Sequence, residues 1–413
     1  MTAPRRDSPL YDVVVVGAAR RNRVGPRAPS RRAAVALAGP PPPTALLARP
    51  ETRTAALLTS SVDFLKRLGV WEQLLPDAAP LRAIRIVDGS RSLLRSPEIS
   101  FEARELGLDS FGFNIANTAL NAVLYGRAQE TIPHIAPEAI ETVRLDPDHA
   151  TLTLESGAQL AGRLVAGADG RHSVCRQAAK IETRDWRYDQ AAIASSFRHS
   201  LPHEGVATEL HREGGSVTSV PTPDPHTSSL VWVGGTAEAK GLMEQDEIGF
   251  AASLQDRFDE TLARHFRCGP AGLVSRCGPH RQGARGRRTA LIGEAAHIMA
   301  PIGAQGLNLG LRDAAALADC VADALRHGRD PGSAPVLAQY VRARQLDVLS
   351  RTIGVDLLGR SLLTTLLPVQ LARSAVLTGL KAFAPLKRLV MQAGLAPPVD
   401  LPRLMRPIET MSA

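Results

Sequence analysis

The stretch 288–320, RTALIGEAAHIMAPIGAQGLNLGLRDAAALADC, restricts what this chain can become more than any other part of it. A short apolar run, Ala290-Leu291-Ile292, ends at Gly293-Glu294 and reads as a buried strand delivering a carboxylate at its C-terminal end. Pro301 and Gly303 then break the backbone, and Gly306-Leu307-Asn308-Leu309-Gly310 leads into an Ala/Leu-rich helix. The apolar positions of that helix, Leu311, Ala314, Ala315, Leu317, Ala318 and Val321, recur at helical intervals. Glycines let a ligand approach the backbone closely, and the open N–H groups of a helix start favour electron-rich atoms. A strand, an acid, a Gly/Pro loop and a helix N-terminus, in that order, predict a cofactor cradle.

Residues 293–318, GEAAHIMAPIGAQGLNLGLRDAAALA, resemble the second flavin-binding motif of the FAD-dependent aromatic-ring hydroxylases, the group A flavoprotein monooxygenases. Within them the motif is most similar to the ubiquinone-biosynthesis, UbiH-type hydroxylases. The resemblance implies an α/β fold: an FAD-binding doubly wound parallel sheet, an inserted antiparallel substrate-binding sheet and C-terminal helices. It assigns FAD contacts to Gly293, Gly303, Gly306, Leu307 and Asn308. It places Glu294 on the FAD ribitol, where the family has aspartate, and Pro301 beside the flavin ring where substrate binds. In the family, NAD(P)H reduces FAD, oxygen adds to give a C4a-hydroperoxide, and an electron-rich ring takes the distal oxygen. The substrate implied is a small hydrophobic aromatic, of the polyprenyl-phenol type. The sequence assigns no catalytic base.

The chain has 413 residues, 44% of them hydrophobic, enough for a sizeable core, and no uninterrupted apolar run of transmembrane length. Its formal net charge of +8 comes mostly from arginine. With aromatics at 4% and no basic stripe interleaved with them, nucleic-acid binding is excluded. A solvated basic surface is expected, with contact to an anionic membrane surface or a quinone-biosynthesis complex as alternatives. Cys175, Cys268, Cys277 and Cys320 are scattered, which predicts free thiols in a reducing compartment, and no metal site is expected. The expected location is cytoplasmic, with peripheral attachment to the inner membrane as the alternative.

Along the chain, residues 11–17 (YDVVVVG) read as the first strand of a parallel sheet ended by Gly17. The G-x-G-x-x-G turn and amphipathic helix that should follow in a dinucleotide fold do not. Residues 18–43 are almost entirely Ala, Arg, Pro and Gly and contain no acid. Three explanations stay open: a tract read in a shifted coding frame, a genuine replacement that remodels pyrophosphate binding, or an inserted arm. A second strand is expected at 44–47, so Ala48-Arg49 stands where the ribose-binding acid belongs, with Glu51 nearby. Residues 51–74 read as a helix, in which Arg53 matches the family's FAD-contacting arginine. The missing loop supports a second functional reading, a catalytically impaired homologue with weakened FAD binding, kept as a structural partner in a biosynthetic complex.

Short strands are expected at 81–87 and 98–101, then a helix over 111–130 capped by Asn117 or Thr118. A hairpin around 155–157 leads into GADGRHSVCR (167–176), similar to the family's Asp-Gly motif, with Asp169 and Gly170 in the turn and Ser173 starting a helix. Residues 186–278 alternate as an antiparallel sheet, and an amphipathic helix is expected over 256–267. The expected division gives 1–75, 111–180 and 281–350 to the FAD-binding domain. It gives 76–110 and 181–280 to the substrate-facing sheet, and 351–413 to a C-terminal helical segment. In that segment apolar positions recur with Arg360, Arg373, Lys381, Lys387 and Arg388, cut by Pro368 and Pro385. Such helices can cap a core, cover a substrate entrance or lie on a membrane interface.

Overall fold

The computed structural model describes residues 9–17, 33–41, 53–89, 97–185, 190–212, 215–258, 267–268, 272–274, 280–282, 284–299, 305–363, 367–395 and 400–407. At its centre is strand β1 (Leu10–Val16). Val13 and Val15 pack into one core and Val14 and Val16 into another, on the opposite face. A strand covered on both sides has no polar face, which is why this run lacks the alternation of a half-exposed strand.

β1 lies between β2 (Val35–Ala38) and β11 (Gln159–Gly167), parallel to both. The sheet extends in parallel to β8 (His134–Ala136) beyond β2 and to β21 (Thr289–Leu291) beyond β11. β9 (Ile140–Leu145) and β10 (Ala150–Leu154) add an antiparallel wing on β11, with the expected hairpin at 155–157, and β20 (Arg285–Gly286) pairs with β21.

The position of β2 corrects the sequence reading in two ways. The second strand is not at 44–47, which lie outside the described residues, and the anomalous tract does not run unbroken to residue 43. Val35–Ala38 is a fully buried strand within it. Asp12 clamps its entry: the Asp12 N–H donates to the Ala34 carbonyl (2.8 Å) and the Asp12 carboxylate accepts from the Ala34 N–H (2.9 Å).

A second, antiparallel sheet holds β13 (Gln190–Arg198), β14 (Val206–Arg212), β15 (Gly215–Pro221) and β16 (Thr227–Gly235). β17 (Arg267–Cys268) and β18 (Gly272–Val274) pair with β13. At the far side β5 (Ala83–Asp88) joins β14 in parallel and pairs with β6 (Ile99–Glu102). Two small sheets complete the set: β3 (Thr54–Leu58), β4 (Ala78–Pro80) and β7 (Gly112–Ala116), and β12 (Thr183–Asp185), β19 (His280–Gln282) and β22 (His297–Ile298).

The expected helix over 51–74 is instead β3, then α1 (Thr59–Arg67) and the single turn α2 (Trp71–Leu74). The expected helix over 111–130 begins later, as α3 (Asn117–Thr131), behind β7, and no side chain caps it. Both errors have one cause: short apolar runs suit strand and helix alike, and the β3–β7 pairing that decides between them is non-local. α4 (Val174–Ala178) starts as expected, with the Ser173 hydroxyl accepting from the Arg176 N–H. α5 (Thr236–Met243) and α6 (Glu247–Phe258) cover one face of the large antiparallel sheet. The helix expected over 256–267 is represented by the end of α6, because 259–266 lie outside the described residues.

α7 (Gln305–Arg326) packs under the parallel sheet beside α8 (Ala334–Leu363). α8 runs through residue 350, so no boundary separates a C-terminal segment there. α9 (Leu367–Ala382) and α10 (Ala384–Leu395) follow. Among the described residues no helix is long and apolar enough to cross a membrane.

Cys175 and Cys320 are free and buried. Burial, reinforced by Asp319 and Asp323, pushes the Cys320 thiol up to about 12, and burial with Asp169 beside it raises Cys175 well above the ordinary thiol range. Thiolate is the reactive form. Iodoacetamide at mildly alkaline pH should therefore leave both unlabelled in the folded protein and label both after denaturation. Native labelling at either, read by peptide mass mapping, would contradict this packing.

Candidate functional site

The parallel register brings the strand ends to one edge. Val16 stands level with Gly167 and Ala38, and Gly167 with Leu291. Gly17, Asp169-Gly170 and Gly293-Glu294 therefore leave the sheet side by side, at the carboxyl ends of β1, β11 and β21, where open α/β sheets bind ligands.

Gly17 is fixed by sterics. Its φ is +110°, and a Cβ there would sit 2.3 Å from the Ala168 carbonyl oxygen and 2.7 Å from the Asp169 nitrogen. Only glycine lets the β1 and β11 exits come this close. Gly170 has φ +78° with open space around it, so its need is conformational. The Asp169 carboxylate is committed to its own turn: it accepts from the Ser173 hydroxyl (2.5 Å) and the Cys175 N–H (3.1 Å). Its part is to shape the exit of β11.

At β21 the turn is held from below. Gly293 has φ +58°, and its N–H donates to Asp313 on α7 (3.0 Å). The same carboxylate oxygen accepts from His297 Nε2 (2.6 Å), and the other accepts from Arg344 Nε (2.7 Å). Arg344 also reaches Asp347 (2.8 Å), and one Arg312 nitrogen contacts both Asp347 oxygens at 3.0 Å. Arg312 and Asp347 are fully buried. Burial alone would push the Asp313 carboxyl up, but His297 and Arg344 outweigh it and hold the group at about 2. Glu294, next in sequence to this clamped glycine, remains half-buried at the edge.

Asn308 is placed otherwise than the sequence suggests. Its side chain is buried, and Oδ1 accepts from the Leu58 N–H (2.9 Å) and the Ser61 hydroxyl (2.7 Å). Nδ2 donates to the Ala56 carbonyl (2.8 Å). Leu58 precedes α1 and offers no capping side chain, and Asn308 fixes the residues at this helix start from α7. The amide is thereby used to staple α7 to β3, with Gly306 and Leu307 in the same first turn of α7. Arg53 is half-buried at the entry to β3, and its carbonyl accepts from the Asn117 N–H at the start of α3 (3.0 Å). Pro301 and Gly303 lie outside the described residues.

The antiparallel sheet turns a second face away from α5 and α6, and Ala192, Ala194, Ser229 and Val233 are buried on it. In register, Ala192 pairs with Val233, Ala194 with Val231 and Ser196 with Ser229. Ser229 shares that face and bonds through its hydroxyl to Thr54 Oγ1 (3.0 Å), which turns this small-residue face toward β3. Asn114 on β7 donates to the Pro221 carbonyl (2.8 Å) across the same seam, and its buried Oδ1 has no partner among the described residues.

The site suits a flavin dinucleotide at one end better than at the other. The close-approach glycine at 17 and the half-buried acid at 294 lie side by side at this edge, and Asp313 ties the Gly293 turn to α7. At the end of β2 the residues that follow are Gly39, Pro40 and Pro41, none of them an acid, and Glu51 lies outside the described residues. The earlier placement of that position at Ala48-Arg49 moves to Gly39. The Asp313–Arg344–Asp347–Arg312 network was missed in the sequence. Its signal was there: Arg312-Asp313 interrupts an otherwise Ala/Leu helix, and Arg344 and Asp347 stand one helical turn apart.

The FAD binding domain family model matches residues 47–348. Ubiquinone hydroxylase UbiL of Rhodospirillum rubrum is 33% identical over 379 residues, covering 90% of this chain and 86% of its own. The 3-demethoxyubiquinol 3-hydroxylase of Escherichia coli is 28% identical over 359 residues, covering 86% and 90%. Among solved structures, p-nitrophenol 4-monooxygenase PnpA from Pseudomonas putida superposes with a TM-score of 0.72 at 18% identity, covering 95% of this chain and 99% of that one.

Proposed function

Because this chain belongs to the FAD-dependent aromatic-ring hydroxylases, flavoprotein monooxygenases, in the branch most similar to the UbiH-type enzymes, we propose that it hydroxylates a hydrophobic polyprenyl phenol of ubiquinone biosynthesis. The observation that carries this reading is the Gly293-Glu294 turn, clamped by Asp313 beside the Gly17–Ala168 close approach at the carboxyl edge of the parallel sheet. FAD, reduced by NAD(P)H, supplies the activated oxygen when bound. Glu294 accepts from the ribitol hydroxyls, and the first-turn N–H groups of α7 stabilise negative charge at the electron-rich edge of the ring system. Arg53 contributes a fixed cation at the entry to β3. Ala192, Ala194 and Ser196 carry small side chains on the sheet face that the Thr54–Ser229 hydrogen bond ties to β3, the face on which an aromatic ring would be received.

A second reading draws on Gly39: with Gly39-Pro40-Pro41 directly after β2 in place of an acid, the cofactor is held less tightly, as in an impaired relative kept for a structural role. One measurement separates the two. The protein is incubated with FAD and desalted, its visible spectrum recorded, and NAD(P)H oxidation followed with and without a prenylated phenol. A retained flavin spectrum with phenol-stimulated, product-coupled oxidation is expected. A colourless protein would sink the active-enzyme reading and leave the impaired one.

A further inference from the structure

The outer surface of α9 and α10 has no use in the chemistry above and is unlike the rest of the molecule. Leu371, Val376, Phe383, Leu386, Leu389 and Val390 are all exposed there, Val376 and Leu389 to 61% and Phe383 to 59%. Beyond α8–α10, the described large hydrophobics with comparable exposure are scattered: Leu10, Leu75, Leu201 and Ile248. Isolated exposed apolar residues are ordinary, whereas a contiguous set marks an interaction surface.

The body of the protein fixes which way this surface faces. Met391 is buried against Ala103 and Phe111, with Leu395 packed beside them. Lys387 pairs with Glu105 at 2.6 Å and lies over the Phe101 ring. Arg351 on α8 donates to the Gly394 carbonyl at 2.6 Å. α10 is thus anchored through one side, and Leu386, Leu389 and Val390 are left pointing away.

Charge identifies the occupant. From residue 357 to 399 the chain contains no aspartate or glutamate, while Arg360, Arg373, Lys381, Lys387 and Arg388 fall within it. Lys381 and Arg388 are exposed beside the apolar residues. A groove on another protein takes a single apolar stripe. Here the apolar positions spread over the outward sides of two consecutive helices and the Phe383 junction between them, a broad surface edged by cations. Neither helix can cross a bilayer. These are the properties of helices that lie in an interface.

We propose that α9 and α10 dock this protein in the plane of an anionic lipid surface, with their apolar outer face in the acyl boundary and Lys381 and Arg388 at the headgroups. The docking stands on the patch itself. Its benefit, bringing the site to a phenol dissolved in the bilayer, rests on the function proposed above.

The test is co-sedimentation of the full chain with phosphatidylglycerol/phosphatidylcholine vesicles and with phosphatidylcholine alone, at low and high salt. Binding to the anionic vesicles that weakens with salt is expected. Lys381→Glu with Arg388→Glu should lower it by about tenfold or more, and Leu386→Ser with Leu389→Ser should abolish it without altering circular dichroism. Absence of binding to anionic vesicles at low salt overturns the proposal, as does binding indifferent to both double variants. So does a result in which the serine variant only converts a self-associated wild type to monomer, which would make the face an interface between copies. The two readings fail separately: a colourless protein that still sediments loses only the monooxygenase function, and a yellow, active protein that does not sediment loses only the docking.

Discussion

Asp313→Asn is expected to destabilise the fold by about 3–5 kcal/mol, the usual cost of removing one partner of a buried ion pair. The native carboxylate presents acceptors on both sides, to Arg344 on one oxygen and to Gly293 and His297 on the other. Asparagine keeps one acceptor and turns an NH2 against a donor. It also takes from Arg344 one of its two carboxylates, leaving it to share Asp347 with Arg312 and Arg351. The denaturant midpoint should fall well below that of the parent. Flavin retention should fall with it, since the Gly293 turn loses its anchor. Acid titration gives an independent signature. The folded carboxyl sits at about 2, below the ordinary 3.8, so the unfolded chain binds this proton more tightly. The resulting stability, about 2 kcal/mol at ~1.4 kcal/mol per unit, is complete above about pH 4 and drains away as pH falls towards 2. The asparagine variant should lack that part of the acid response. An unchanged midpoint and an unchanged acid limb would show that the network does not hold the turn.

Asn308→Ala should cost about 2–5 kcal/mol, from groups left without partners at ~1–3 kcal/mol each. The Leu58 N–H, the Ser61 hydroxyl and the Ala56 carbonyl lose their bonds together, and the start of α1 loses its tie to α7. Ser61→Ala is the control, because it removes one of the three bonds and keeps the amide. A denaturant midpoint for Asn308→Ala no lower than for Ser61→Ala would mean that the amide does not tie α7 to β3. A larger drop, with weaker flavin binding, is expected because β3 carries Arg53 at its entry.

The strongest apolar runs could be read directly. β1, the end of β11, β21 and α7 are continuous or helically spaced, and burial on every side enforces that pattern. β2 could not. Val35–Ala38 is four residues long in a tract dominated by Ala, Arg and Pro, and its place is set by the β1 ladder and the Asp12 carboxylate, neither of which leaves a local periodicity. Gly17, Gly170 and Gly293 each have a positive φ, and at Gly17 the backbone also comes close, which is why glycine marks those positions in the sequence. Asn308 and Asp169 were legible as polar residues in the right place but not in their use. Both spend their side chains on neighbouring backbone, and a sequence does not say whether an amide or carboxylate faces a ligand or the chain. Asp313 went unseen because its partners lie on three separate elements.

The parallel pairing of β5 with β14 also sets the order in which this molecule can be made. β5 and β6 leave the ribosome long before Val206–Arg212 exists to pair with them, and β21 can close on β11 only after the entire antiparallel sheet has been synthesised. Contacts so distant along the chain fold slowly and leave apolar edges open meanwhile. The cofactor edge, built from the exits of β1, β11 and β21, is therefore among the last features to form. A nascent chain stalled before residue 289 would hold the antiparallel sheet while β21 and the Gly293 turn were still missing.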